Sequence, residues 1–373
     1  MMMKRCLVTC SSTQNKEANF DHCCKEIVDE GQKPLLLIFF ADEDDLWYYA
    51  KYLHEAFPEA ISIGSSTFIN FSSAGFSHSG LSVMAIYSGI ECAAGLLFEV
   101  NRHPKNYIMH IKNALGQISS LENTCCMEFT TPFSDSEELV LDTFKEAFDG
   151  KDIPLFGGSS GITNTNKKGI VALNGDIFAN TCAFVFIHNQ NGKIHLFREN
   201  IFQRTQHQFI ATDVDCEERT VYEYDDQPAA DVLAKALNVD LEGLPEALLV
   251  HPMGRIVDDQ IFITECNKVF PDGSISYFSR VYNHTKMVLL EVADFDKVWN
   301  ETAETVHKEI LAPSFTISIN CLSRTNLFEK ENKLYHFIST LKSNYGDFIG
   351  LSGYGEQLNF IHLNQSMVIA LFE

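Results

Sequence analysis

The sequence predicts an α+β fold, with repeated strand–helix–strand–hairpin units forming mixed, largely antiparallel sheets flanked by helices, in two lobes. Three observations carry this. Apolar runs of strand length alternate with stretches at helical spacing, and one order of elements occurs three times. The 373 residues, 45% of them apolar, are enough for about two domains.

The first copy opens on PLLLIFF (34–40), and in EDDLWYYAKYLHEAF the residues Leu46, Ala50, Leu53 and Phe57 share one helical face. ISIGSST (61–67), a polar loop and the strand-like LSVMAIY (81–87) follow. The second opens on TCCMEF (124–129). Its helix starts at Ser134-Asp135-Ser136-Glu137, a capping box that satisfies first-turn amides, with Val140, Phe144, Ala147 and Phe148 as its apolar stripe. IPLFGGSSG, the loop TNTNKKG, and the strands GIVAL and TCAFVFIH complete it. The third runs from FTISIN (315–320) through a helix marked by Leu334, Phe337, Ile338 and Leu341 to FIGLSGYGE (348–356), LNFIHL and SMVIALF. Aligned, the copies place Gly64 and Ser66, Gly157 and Ser159, and Gly350 and Ser352 at corresponding points.

Residues 195–310 follow another plan. HLFREN, HQFIATDV and TVYEYD read as strands, and Pro228 opens a helix over AADVLAKAL. The acidic, proline-bearing EYDDQP marks the boundary between a lobe over 33–225, preceded by an N-terminal segment 1–32, and a lobe over 226–373. ALLVHPMGR, IFITECNKV, SISYFSRVY and KMVLLEVAD read as strands, with a turn at Pro271-Asp272-Gly273-Ser274, and KVWNETAETVHKEIL as a helix.

Charge narrows the function. With 28 basic against 50 acidic residues, a formal −22, the surface repels phosphate backbones, so neither nucleic acid nor an anionic membrane is an expected partner. No apolar run approaches the ~20 residues that cross a bilayer. After Lys4 and Arg5 only Cys6-Leu7-Val8 follows, short of the ~7–15 apolar residues of a signal peptide, so a cytoplasmic protein is expected. The eleven cysteines form no CxxC, which points to reduced thiols packed as small hydrophobes and not to a zinc site. The last strand ends at Phe372, so a partner is expected to meet the folded surface.

Gly157-Gly158-Ser159-Ser160-Gly161 matches G-x-S-x-G, the elbow that exposes a catalytic serine. An elbow leads into a helix, whereas here a loop and strands follow, and Phe68 and Tyr354 replace the second glycine in the other copies. A serine hydrolase using Ser159 is the alternative reading. A P-loop and a dinucleotide fingerprint fail because no helix follows the glycines and no Gly-Lys-Ser/Thr is present. The preferred reading is a strand end where glycine permits close approach, with the corners at Gly64, Ser66, Gly157, Gly158 and Ser159 gathered around one cleft or, equally, produced by duplication of a stable unit.

ISIGSST, PLFGGSSG and above all CLSRTNLFE with GLSGYGEQLNFIHLNQSMVIALF resemble the FIST domain in both its N- and C-terminal parts, over roughly residues 33–370. The most specific element is Cys321-x-x-Arg324 with Gly353-Tyr354-Gly355-Glu356. The resemblance implies a cytoplasmic module, not an enzyme, that binds a small ligand such as an amino acid and signals to a separate histidine kinase or cyclic-dinucleotide enzyme, with a homodimer as one arrangement. It also implies a likeness to the NosP-type branch, regarded as haem-binding nitric-oxide sensors. Arg324 suits a ligand carboxylate and Glu356 an amine, with Gly353 and Gly355 leaving room; alternatively the two pair and brace two loops. Haem needs an axial imidazole. His284, where Asn283-His284 replaces the family's Glu-Gly turn, and His251 in LLVHPMGR are the candidates, whereas His362 alternates with apolar neighbours and packs.

Overall fold

The computed structural model describes residues 4–132, 136–258 and 260–373. The first copy consists of β1 (Cys6–Ser11), α1 (Lys16–Asp29), β2 (Leu36–Ala41), α2 (Leu46–Ala56), β3 (Ile61–Ser66), the hairpin β4 (Asn70–Ser72) and β5 (Gly75–Ser77), and β6 (Leu81–Ile86). The second repeats it as β7 (Ile90–Phe98), α3 (Ile108–Leu115), β8 (Thr124–Thr130), α4 (Glu137–Phe148), β9 (Leu155–Ser159), the hairpin β10 (Val171–Leu173) and β11 (Asp176–Phe178), and β12 (Thr181–Asn189).

The third begins with β13 (Ile194–Asn200) and is then interrupted. The insertion runs β14 (Phe202–Asp215), β15 (Thr220–Tyr224), β16 (Gln227–Pro228), α5 (Ala229–Leu237), α6 (Leu244–Val250), β17 (Met253–Val257), β18 (Gln260–Thr264), β19 (Cys266–Val269), β20 (Ile275–Tyr277) and β21 (Lys286–Val292). The chain returns through α7 (Phe295–His307) to β22 (Phe315–Cys321), α8 (Leu322–Lys330), α9 (Leu334–Tyr345), β23 (Phe348–Gly353), the hairpin β24 (Glu356–Leu358) and β25 (Ile361–Leu363), and β26 (Ser366–Phe372). The structure is α+β, with mixed sheets flanked by helices.

Compactness divides the chain into a first unit of residues up to 198, 303–362 and 367–373, and a second of 199–302 and 363–366. The boundary expected at 225/226 falls inside the second unit, where α5 packs on β15. Residues 6–29, expected as a leading segment, supply β1 and α1 to the first unit.

In the first unit each copy builds one sheet. A central parallel pair (β2 with β3, β8 with β9, β22 with β23) is flanked on one side by an antiparallel strand, β6, β12 or β26. On the other side lies a hairpin from a different copy. β10 pairs with β3, β24 with β9, and β4 with β23, so the three sheets exchange hairpins in a closed cycle.

The central strands are buried along their length, which is why LLIFFA in β2 reads as a continuous apolar run. α2 buries Leu46, Tyr49, Ala50 and Leu53 against that sheet, with Phe57 as its C-cap, and α4 buries Val140, Leu141, Phe144, Ala147 and Phe148 against the second. α4 starts at Glu137; Ser134 and Asp135 of the expected capping box lie outside the described residues. Between the sheets the rings of Phe40 and Phe129 meet edge to face at 5.4 Å.

The second unit holds a sheet in the order β18-β17-β21-β14-β15-β20-β19, with β16 on β15 and α5 and α6 on a core of Leu233, Leu244, Leu248, Tyr224 and Tyr277. β19 and β20 form a hairpin whose expected turn at Pro271–Ser274 uses Gly273 at φ 88°. One expectation is corrected: ALLV of ALLVHPMGR ends helix α6, and the strand starts at Met253. A short apolar run does not distinguish strand from buried helix, and here Pro245 at the first turn with Leu248 one turn beyond Leu244 decides for helix.

Candidate functional site

The strand register equates the three corners. Gly64, Gly157 and Gly350 each occupy the same place between the neighbouring parallel strand and the borrowed hairpin, in the rows Phe39–Gly64–Ala172, Glu128–Gly157–Gln357 and Ser318–Gly350–Phe71. A Cβ at Gly64 would stand 2.5 Å from the Phe39 ring, and one at Gly350 would strike the Phe71 ring. At Gly157 it would strike the Glu128 carbonyl and stand 3.0 Å from the Glu128 carboxyl carbon.

Two residues past each glycine the corners join. The backbone N–H of Gly161 donates to the Ser66 carbonyl at 2.9 Å, that of Tyr354 to the Ser159 carbonyl at 3.2 Å, and that of Phe68 to the Ser352 carbonyl at 2.9 Å. This is a three-membered hydrogen-bonded ring, one link per pair of copies. Tight glycines serve it: a Cβ at Gly353 would strike the Ser159 carbonyl, and one at Gly161 the Ser352 carbonyl. Ser159 N–H donates to the Gly355 carbonyl at 2.9 Å, and a Cβ at Gly158 would stand 2.5 Å from Ile319.

The ring serines are all buried. Ser66 Oγ donates to the Gly161 carbonyl at 2.8 Å, Ser159 Oγ accepts Gln357 Nε2 at 3.3 Å, and Ser352 Oγ meets Thr325 Oγ1 at 2.8 Å. Thr325 also accepts Asn320 Nδ2 at 2.9 Å. The hydrolase alternative finds no support. Ser159 has an amide and not a base at its hydroxyl, it is closed to solvent, and β9 leads into a loop and β10.

Arg324 lies in the first turn of α8, next to Thr325, and is 1% exposed. Its guanidinium carbon stands 5.3 Å from the Phe328 ring centre and 5.9 Å from that of Phe337, cation–π range on both. Glu356 is fully buried at the start of β24, in the row Phe129–Gly158–Glu356, so it issues from the face of the second sheet opposite to Glu128. Tyr354 between them in sequence is half-buried. The corner serines, Gly353, Tyr354 and Gly355 are therefore brought together, with Glu356 one residue beyond.

Sequence reasoning passed over Glu128, Gln357 and Asn320. Glu128 is fully buried; Thr130 Oγ1 donates to its Oε2 at 2.7 Å and Cys182 Sγ at 3.3 Å. Burial, opposed by those two donors, pushes its pKa up to about 7. The signal was a lone charge within the strand TCCMEF.

The two histidine candidates belong to the second unit. His284 is exposed on a turn at φ 62°, which does not fit a haem ligand enclosed by apolar walls. His251 is half-buried, and its Nδ1 donates to the Leu290 carbonyl at 3.1 Å, which leaves the Nε2 lone pair as the ligating atom. His362 packs as expected, accepting Gln357 Nε2 at its Nδ1, 3.3 Å away. Among the described residues no group of three His, Cys, Asp or Glu side chains is placed to hold a metal ion, and no helix is long and apolar enough to cross a membrane.

No curated protein matches the chain significantly. Two family models do: one described as FIST N domain matches residues 34–227, and one described as FIST C domain matches residues 229–359. FIST domains are small-ligand sensor domains of signalling proteins and not catalytic domains. With nearly the whole chain matched in this order, it belongs to the FIST family.

Proposed function

We propose that this chain is a sensor module for an amino-acid-like ligand, with Arg324 holding the carboxylate and Glu356 the amine. It passes its state to a separate partner such as a histidine kinase or a cyclic-dinucleotide enzyme. One observation carries the reading: a guanidinium 1% exposed, laid against the paired Phe328 and Phe337 rings, on the residue before Thr325, whose hydroxyl meets the ring serine Ser352. Withdrawing such a charge from water costs several kcal/mol, and an apolar side chain of like size holds a core at least as well. The planar fork of a guanidinium matches a ligand carboxylate with two parallel hydrogen bonds. The free thiols fit a reducing, cytoplasmic setting.

Calorimetric titration with a panel of amino acids, and with the matching amines and carboxylic acids, tests this. One amino acid is expected to bind, its amine and acid counterparts poorly. Arg324→Lys and Glu356→Gln should each weaken it by ~10-fold or more, the range of a lost charge-assisted pair. A panel that never binds, or variants that bind as well as the parent, would sink the proposal.

A second reading, haem with nitric oxide, is favoured by the His251 tautomer alone. Haem would supply the nitric-oxide-binding iron, and His251 Nε2 would be the atom that holds it. A Soret band formed with haemin and lost in His251→Ala supports it; no band beyond that of free haemin removes it.

A further inference from the structure

We propose that Glu128 is a proton-binding switch: as a neutral acid its Oε1–H donates across Gly157 to Gln357 Oε1, and its ionisation turns the Gln357 amide over. This does not rest on the amino-acid reading, since it uses neither Arg324 nor Glu356.

The internal repeats supply the first argument. At the glycine row, the first copy has Phe39 and Ala172 and the third has Ser318 and Phe71, so a phenyl ring lies against the glycine in both. The fold therefore asks only for a ring there. The second copy puts Glu128 and Gln357 in its place, fully buried, where apolar packing is known to suffice.

Hydrogen-bond accounting supplies the second. An ionised carboxylate accepts at both oxygens. Here both donors, Thr130 and Cys182, go to Oε2, and Oε1 has no partner. Across the row, Gln357 gives its Nε2 to Ser159 Oγ and His362 Nδ1, and its Oε1 has no donor. Two buried acceptors left over on either side of one glycine are both satisfied by a single proton on Glu128 Oε1. Gly157 is part of the arrangement, because a Cβ there would stand 3.0 Å from the Glu128 carboxyl carbon.

The surroundings favour the neutral form. The titratable groups acting on Glu128 are Cys182 from β12, Glu137 from α4 and Cys126 on its own strand, none of them a cation; His362 is linked to the row by its contact with Gln357. Burial first, with Glu137 adding to it, holds the carboxyl well above its ordinary range.

Loss of the proton to solvent leaves a carboxylate facing a carbonyl oxygen. Rotating the Gln357 amide by half a turn removes the clash: Nε2 then donates to Glu128, and Oε1 accepts from Ser159 Oγ–H and from His362, whose proton moves from Nε2 to Nδ1. The switch thus has two arrangements, and the second changes what Ser159, a ring member, donates to.

Isotope-edited infrared spectra of the full chain with labelled glutamate, taken from about pH 5 to about pH 9, test this alongside imidazole ¹⁵N shifts of His362. A protonated-carboxyl band should disappear with a midpoint near 7, and the His362 nitrogens should exchange character at the same midpoint. Glu128→Gln should lack both changes. Should that variant not fold, Glu128→Phe with Gln357→Ala, the first-copy pair, provides the same comparison. A band that survives in either variant, or a His362 spectrum indifferent to that midpoint, overturns the proposal.

Discussion

The ring of Phe39 lies against the α-carbon of Gly64, at the place where a Cβ would meet it at 2.5 Å. The same relationship recurs between Phe71 and Gly350. At Gly161, by contrast, what stands in the Cβ position is backbone, the Ser352 carbonyl and the Phe68 amide. A side chain can rotate away, whereas a backbone fixed in the ring cannot. Gly64→Ala should therefore cost about 1–3 kcal/mol, the ordinary range for overpacking, and Gly161→Ala more than that. Urea midpoints check the order; equal losses would show that the ring is no stiffer than the core.

Ser159→Ala removes a buried hydroxyl that accepts from Gln357. The amide keeps His362 as a second acceptor, so the loss should stay near ~1 kcal/mol and not reach the full cost of an orphaned donor. Background ester hydrolysis should be identical in parent and variant. A drop in that rate would restore the hydrolase reading that the buried hydroxyl argues against.

The repeats were legible because strand, helix and Gly-x-Ser recur in one order, and the register confirms the alignment of Gly64, Gly157 and Gly350. The hairpin exchange was not. NFS and EQL are three-residue strands that pair with a strand of another copy, so no local pattern announces them. α1 was missed for a related reason: its buried stripe is Asn19, Cys23 and Ile27, with a single aliphatic member. Asn19 belongs there because Ser11, Thr13 and Tyr49 hydrogen-bond to it, which only the tertiary structure reveals. At the site, Gly and Ser were readable as a motif, but Gln357 acquires its role from facing Glu128 across a glycine of the previous copy.

Stability should fall as pH rises from about 4 to about 7, and Glu128 sets the sign. Its folded pKa, about 7, lies above the ordinary ~4.3 of an unfolded glutamate, so the folded state binds the extra proton. The group's contribution is complete below about pH 4 and is lost as pH climbs through about 7. The difference between parent and Glu128→Gln should change by about 3 kcal/mol across that interval, in favour of the variant at the alkaline end. Parallel stability–pH curves for the two proteins would mean that Glu128 titrates normally.

The loop after the second corner is held by the first copy: the Glu43 carboxylate accepts Thr163 N–H at 2.9 Å, Thr163 Oγ1 at 2.9 Å and Asn164 N–H at 3.1 Å. Glu43 is buried, so these charge-assisted bonds are worth more than exposed ones. Glu43→Ala should lose about 2 kcal/mol and speed proteolysis between Asn164 and Lys168, whereas cleavage elsewhere stays as in the parent. Uniform acceleration along the chain would indicate global loosening in place of a released loop.

Hairpin exchange also dictates how the first unit comes apart. Each sheet contains strands of two copies, and each corner is tied to the next, so opening one copy strips a hairpin from one neighbour and exposes the edge of another. A partly open state then loses two interfaces for each copy released, which disfavours it against full unfolding. Native-state hydrogen exchange should therefore give one common opening free energy for the amides of β2, β8 and β22, within ~1 kcal/mol. Independent opening of one sheet, with the other two still protected, would show that the cycle contributes geometry without cooperativity.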